Sequence, residues 1–86
     1  MLDETWAMSP SVALRPEPFG ALAYHFGNRK LIFLKSPELV AVVRALGTGA
    51  AVRDALAEAG VPESQWTAYE SALQGLADSD MIRRAA

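Results

Sequence analysis

The sequence has no cysteine and a single histidine, His25. The missing thiols exclude disulfides, thiolate metal sites, iron–sulfur ligation and cysteine nucleophiles together. One histidine, alone and beside a turn, has no second ligand with which to share a metal and no serine placed to form a triad. It reads as a solvated residue. Positive charge is also sparse: eight basic residues stand against ten acidic ones, and the net charge is -2. Arg15, Arg29, Lys30, Lys35, Arg44, Arg53, Arg83 and Arg84 are scattered along the chain. Phosphate contacts need clustered Lys and Arg, so this balance speaks against a nucleic-acid surface. No apolar run approaches the ~20 residues of a membrane span. The first ten residues, MLDETWAMSP, begin acidic and lack the basic and apolar regions of a signal peptide. Gly47-Thr48-Gly49 is too short for a phosphate loop and lacks its lysine. Glu38, Asp54, Glu58 and Glu63 fall in helix first turns or on solvent faces. These absences predict a soluble cytoplasmic protein that is no enzyme and holds no cofactor or metal.

What is present is apolar: 51% of 86 residues, enough for one small domain. A chain of this size buries roughly 60–65% of its unfolded surface, so packing alone must hold it. Residues 1–10 show no period and read as a flexible tail, 11–82 as the domain and 83–86 as a frayed end. Trp6 is out of place in a free tail: either it packs on the domain's flank or the tail meets a partner.

The central stretch is Phe19–Leu34, two apolar runs joined by Gly27-Asn28. That joint predicts a tight two-residue hairpin. Pairing then runs back from Phe26 with Arg29 and His25 with Lys30, through Tyr24 with Leu31, to Ala21 with Leu34. One face carries Leu22, Tyr24, Phe26, Leu31 and Phe33, large enough to be the core side. The other carries Ala21, Ala23, His25, Lys30, Ile32 and Leu34 and reads as half wet. A short strand, Ser11–Arg15, precedes the hairpin and is ended by Arg15-Pro16-Glu17-Pro18.

Helices follow. Ser36 can cap, Pro37 suits the first helical position and Glu38 the positive end of the dipole. Leu39, Val42, Val43 and Leu46 make one apolar face, and Gly47 stops the helix. Val52, Ala55, Leu56 and Ala59 repeat that spacing up to Gly60. Val61-Pro62-Glu63 opens a third helix with Trp66, Tyr69, Leu73, Leu76 and Ala77 on its apolar face. Gly75 within it costs about 1 kcal/mol of propensity. Met81 and Ile82 can fold back as a short extended segment. The order predicts an α+β fold, a three-stranded antiparallel β-meander followed by three α-helices, like a winged helix-turn-helix.

A winged helix raises DNA binding or dimerisation, but the third helix begins PESQWTAYE, with two glutamates and no basic residue. The meander's third strand, from Arg29 to Leu34, is instead a free edge that an extended peptide can join. Such an edge can also pair with a second copy of itself.

The run VALRPEPFGALAYHFGNRKLIFLKSPELVAVVRAL resembles the PqqD-like peptide chaperones, the recognition elements of ribosomally made, modified peptides. The turn Arg15-Pro16-Glu17-Pro18-Phe19-Gly20 is its most specific part. The helical half matches in pattern more than in residues, and Ser36 stands where many members carry asparagine. Within the group the chain looks most like the mycofactocin-biosynthesis chaperones. The resemblance implies a non-catalytic domain that binds the leader of a precursor peptide and delivers it to a radical S-adenosylmethionine maturase, whose iron–sulfur clusters stay with that partner. It implies a leader strand laddered on the backbone of Arg29, Lys30, Leu31, Ile32, Phe33 and Leu34. The side chains of Leu31 and Phe33, with Trp66, Tyr69 and Leu73, would form the apolar groove. Proline at Ile32 is then expected to weaken binding.

Overall fold

Helix α1 (Pro37–Leu46) begins where local chemistry starts it. Ser36 is extended, and its hydroxyl accepts from the Leu39 N–H at 3.1 Å, satisfying one of the helix's orphan donors. Leu39, Val42, Val43 and Leu46 are all buried, as their spacing predicts. A computed structural model describes residues 1–85. In it α1 packs against strands β1 (Trp6–Met8), β3 (Gly20–His25) and β4 (Leu31–Leu34). Strand β2 (Val12–Glu17), helices α2 (Val52–Glu58) and α3 (Trp66–Asp78), and strand β5 (Ile82–Arg84) complete the chain. A single 3₁₀ turn, Glu63–Gln65, leads into α3. The architecture is α+β, with a β2-β3-β4 antiparallel meander and three helices, as the sequence pattern predicts.

The hairpin register is the expected one: Ala21 faces Leu34, Leu22 Phe33, Ala23 Ile32 and Tyr24 Leu31. Its turn differs. Residues 26–29 form a longer connection in which the Arg29 N–H bonds the His25 carbonyl and the Phe26 N–H bonds Ser11. Arg29, not Gly27 or Asn28, takes the left-handed backbone, at φ 61°.

The sorting of the two hairpin faces is the reverse of the expected one. Ala21 and Ala23 are 0% and 2% exposed, whereas Phe26 and Leu31 are 62% and 57% exposed. The reason is where the volume comes from. Helices α1, α2 and α3 supply large aliphatic side chains to the core, so the strands beneath must be slim to let α1 approach. The strands themselves also come close at Gly20, where a Cβ would lie 1.8 Å from the Leu34 carbonyl oxygen of β4. Size therefore did not mark the core side here.

Strand β2 also departs from expectation. It runs through Pro16, which pairs with Ala21. This is tolerated because β2 is an outer strand, where a missing N–H need not break a ladder bond.

The first ten residues are a strand and a cap rather than a flexible tail. Trp6–Met8 pairs antiparallel with Ile82–Arg84, so Arg83 and Arg84 lie in a strand too. Helix α2 has no side-chain cap, and the carbonyls of Leu2 and Glu4 accept from Arg53 and Val52 at 3.0 and 3.1 Å instead. Trp6 packs on the core's flank and donates its indole N–H to Glu4. Met81 and Ile82 are buried in the core, Ile82 opposite Met8. Of the expected frayed end, Ala86 lies outside the described residues.

Candidate functional site

In the meander's order β4 is an outer strand, paired with β3 on one side only. The parity of its backbone follows from one bond: the His25 N–H donates to the Lys30 carbonyl at 3.0 Å. In an antiparallel ladder, paired residues alternate between bonding each other and facing away. Ile32 and Leu34 therefore spend their N–H and C=O groups on β3. Leu31 and Phe33 turn theirs outward, to the free edge.

That edge faces α3 across a groove of about 410 Å³. The strand side is Ile32, Phe33, Leu34, Lys35 and Ser36, with Leu39 of α1 beyond them. The helix side is Ala68, Tyr69, Ala72, Gly75 and Leu76. The lining is mainly apolar, and the size falls within the roughly 300–1,000 Å³ of typical binding clefts. Ala68, Ala72 and Gly75 recur at helical spacing, and their small side chains leave room for the groove. A Cβ at Gly75 would meet nothing within 4 Å, so glycine there leaves open space rather than relieving a clash.

Two polar links hold the walls at a set spacing. At one end the hydroxyls of Ser36 and Tyr69 lie 3.5 Å apart. At the other, the hairpin tip is tied to the end of α3. His25 is buried, and its Nδ1 accepts from the Gly27 and Asn28 N–H groups at 2.9 and 3.1 Å. Two donors on Nδ1 place the ring proton on Nε2, which donates to Asp80 at 3.1 Å. The Asn28 side chain donates to the Ser79 carbonyl at 3.0 Å. Gly27 must be small, since a Cβ would sit 2.9 Å from the His25 ring. Arg83 also donates to Asp80. The Arg83 guanidinium first, and the His25 ring second, hold the Asp80 carboxyl below its ordinary value. The expected solvated histidine is thus a buried clamp. Because the links join the end of β4 to the start of α3 and the hairpin tip to the end of α3, the helix runs antiparallel to β4 across the groove.

The expected site residues divide. Ile32, Phe33, Leu34 and Tyr69 line the groove. Arg29 and Lys30 lie at the hairpin tip, outside the lining, and Leu31 meets the groove only through the outward backbone derived above. Trp66 is turned back on its own helix start, donating to the Val61 carbonyl at 2.9 Å. Leu73 is fully buried in the core and lines nothing. The small residues of α3 were missed. Their signal was present, as Ala68, Ala72 and Gly75 at i, i+4 and i+7, but large apolar side chains drew the reading to the neighbouring stripe, of which only Tyr69 and Leu76 reach the groove.

Among the described residues no group of three His, Cys, Asp or Glu could hold a metal ion, and no helix is long and apolar enough to cross a membrane. No solved structure matches the chain. Residues 5–83 match the model of the peptide chaperone MftB family. Proteins named peptide chaperone MftB from Mycobacterium ulcerans and Mycobacterium tuberculosis are 51% and 49% identical over 80 residues. Each match covers 93% of this chain and 73% of the relative. The namesake from Mycolicibacterium smegmatis is 49% identical over 80 residues, 93% of this chain and 78% of its own. With nearly the whole fold matched at about half identity, the chain belongs to the peptide chaperone MftB family.

Proposed function

We propose that this chain binds the leader of a ribosomally made precursor peptide as an added antiparallel strand on β4, and presents it to a radical S-adenosylmethionine maturase in mycofactocin biosynthesis. The observation that carries the reading is the free edge of β4 opening onto an apolar groove walled by α3. Leu31 and Phe33 offer outward N–H and C=O groups to a ladder, which supplies affinity without regard to sequence. Alternate side chains of the leader then enter the groove against Tyr69, Ala72 and Leu76, which supplies specificity. The relatives' name denotes a non-catalytic role, and the chain acts by holding and presenting.

A DNA-reading role has less support. No lysine or arginine stands between Arg53 and Arg83, so α3 carries no cation to meet a phosphate.

The ladder parity changes the proline test. Ile32 bonds β3, so proline there breaks the fold's own ladder. Phe33→Pro removes an outward N–H instead. Titrated with the leader, the protein is expected to bind at micromolar Kd or tighter. Phe33→Ala is expected to weaken this a few-fold and Phe33→Pro at least tenfold, both with native circular dichroism. Equal binding by both folded variants places the peptide elsewhere.

A further inference from the structure

Among the described residues the outer face of the meander is largely open: Leu31 and Phe33 are exposed, Leu22 and Tyr24 half-buried. Leu22, Tyr24, Leu31 and Phe33 share it by parity, with Phe26 and Phe19 exposed at its two ends. Tyr24 and Phe26 stack edge to face, with centroids 5.1 Å apart, and the register sets Leu31 against Tyr24 and Phe33 against Leu22. Contiguous apolar surface of this kind, on an otherwise well-packed domain, marks a contact surface.

Its charge says what it contacts. Residues 11–36 hold four of the eight basic residues, Arg15, Arg29, Lys30 and Lys35, and one of the ten acidic ones, Glu17. All four cations are exposed: Arg15 shares the outer face with Leu22, its guanidinium 3.8 Å from Glu17, and Arg29 and Lys35 flank that face, while Lys30 belongs by parity to the inner one. The rest of the chain is acidic by nine residues to four. A second copy is a poor occupant, because a two-fold contact sets this basic rim against itself.

We infer that the outer face of β2-β3-β4 is a second docking surface, separate from the groove, for an apolar patch with an acidic rim on the maturase. This rests on the leader-presentation reading. A strand added to β4 continues the same sheet, so the loaded chaperone offers a wider outer face than the empty one. Phe33 belongs to both surfaces, lining the groove while sharing the outer face. The maturase therefore binds the loaded form more tightly, and does so less well at high salt.

The test titrates purified maturase against the full chain, with and without leader, and titrates leader separately. The Phe19→Ser/Phe26→Ser double variant and Arg15→Glu leave the groove lining untouched. Maturase Kd is expected to rise at least tenfold for the first and at least threefold for the second, with leader Kd within twofold of the parent. Maturase binding within twofold of the parent in both variants overturns the inference. So does a parent dimer, seen by sedimentation, that either variant dissociates, since a second copy then covers the face. Should the double variant unfold, Arg15→Glu decides alone. A parent chain that fails to bind leader contradicts the function itself, which the separate leader titration reads independently.

Discussion

The two faces of the β3–β4 hairpin invert the usual relation between size and burial. On β3 the inner face is built from alanines and a histidine and is buried, with Ile32 and Leu34 of β4 beside them, whereas the outer face carries half-buried Leu22 and Tyr24 and exposed Leu31 and Phe33. The inner face is a floor, made slim so that α1 can sit on it, with α3 left far enough away to leave a groove. The outer face stays free to meet another surface. A hairpin with a free edge and a free face can offer its backbone to a peptide and its side chains to a protein.

Stability variants break this comparison most sharply. Leu34→Ala truncates the one large inner side chain of β4 that is fully buried, and is expected to cost about 2–5 kcal/mol in urea melts. For a domain this small that is a large share of total stability. His25→Ala removes the acceptor for two turn N–H groups and is expected to cost about 1–3 kcal/mol. It also releases the hairpin tip from α3, so leader affinity is expected to fall with it. Phe26→Ser on the outer face is expected to stay within about 0.5 kcal/mol of the parent. A loss as large as that of Leu34→Ala would mean the outer face is core after all.

The smallest effect concerns pH. The Asp80 carboxyl is held low in the folded protein, so its ion pair with Arg83 and its bond to His25 contribute stability above its unfolded pKa near 3.8. That contribution is lost as pH falls below about 4 and through the lower folded value. Asp80 is half exposed, so the effect is small. Asp80→Asn is expected to flatten the acid limb of a stability profile slightly, and an unchanged limb denies the pair any part in it.

Much of the fold was legible along the chain because its signals are local. The Ser36-Pro37-Glu38 start, the apolar stripes of α1 and α2 and the hairpin register all depend on residues close in sequence. The buried face was not legible, since it depends on which helix lies over the strands. Nor was the β1–β5 pairing, for Trp6-Ala7-Met8 is too short to show alternation and its partner lies at the far end of the chain. The groove was half legible. Its strand wall follows from the edge position of β4, but its helix wall is made of residues that are small, and space leaves a weaker mark in a sequence than bulk does. His25 was misread because both of its roles, holding the turn and meeting Asp80, need the tertiary fold.

The central claim is that the leader adds a strand to β4 through Leu31 and Phe33. Amide hydrogen exchange, read residue by residue with and without leader, tests it most directly. The account predicts that Ile32 and Leu34 are protected in both states, while Leu31 and Phe33 exchange quickly alone and become protected in the complex. Leader binding that leaves the Leu31 and Phe33 amides unprotected, or that protects β2 instead, would contradict it.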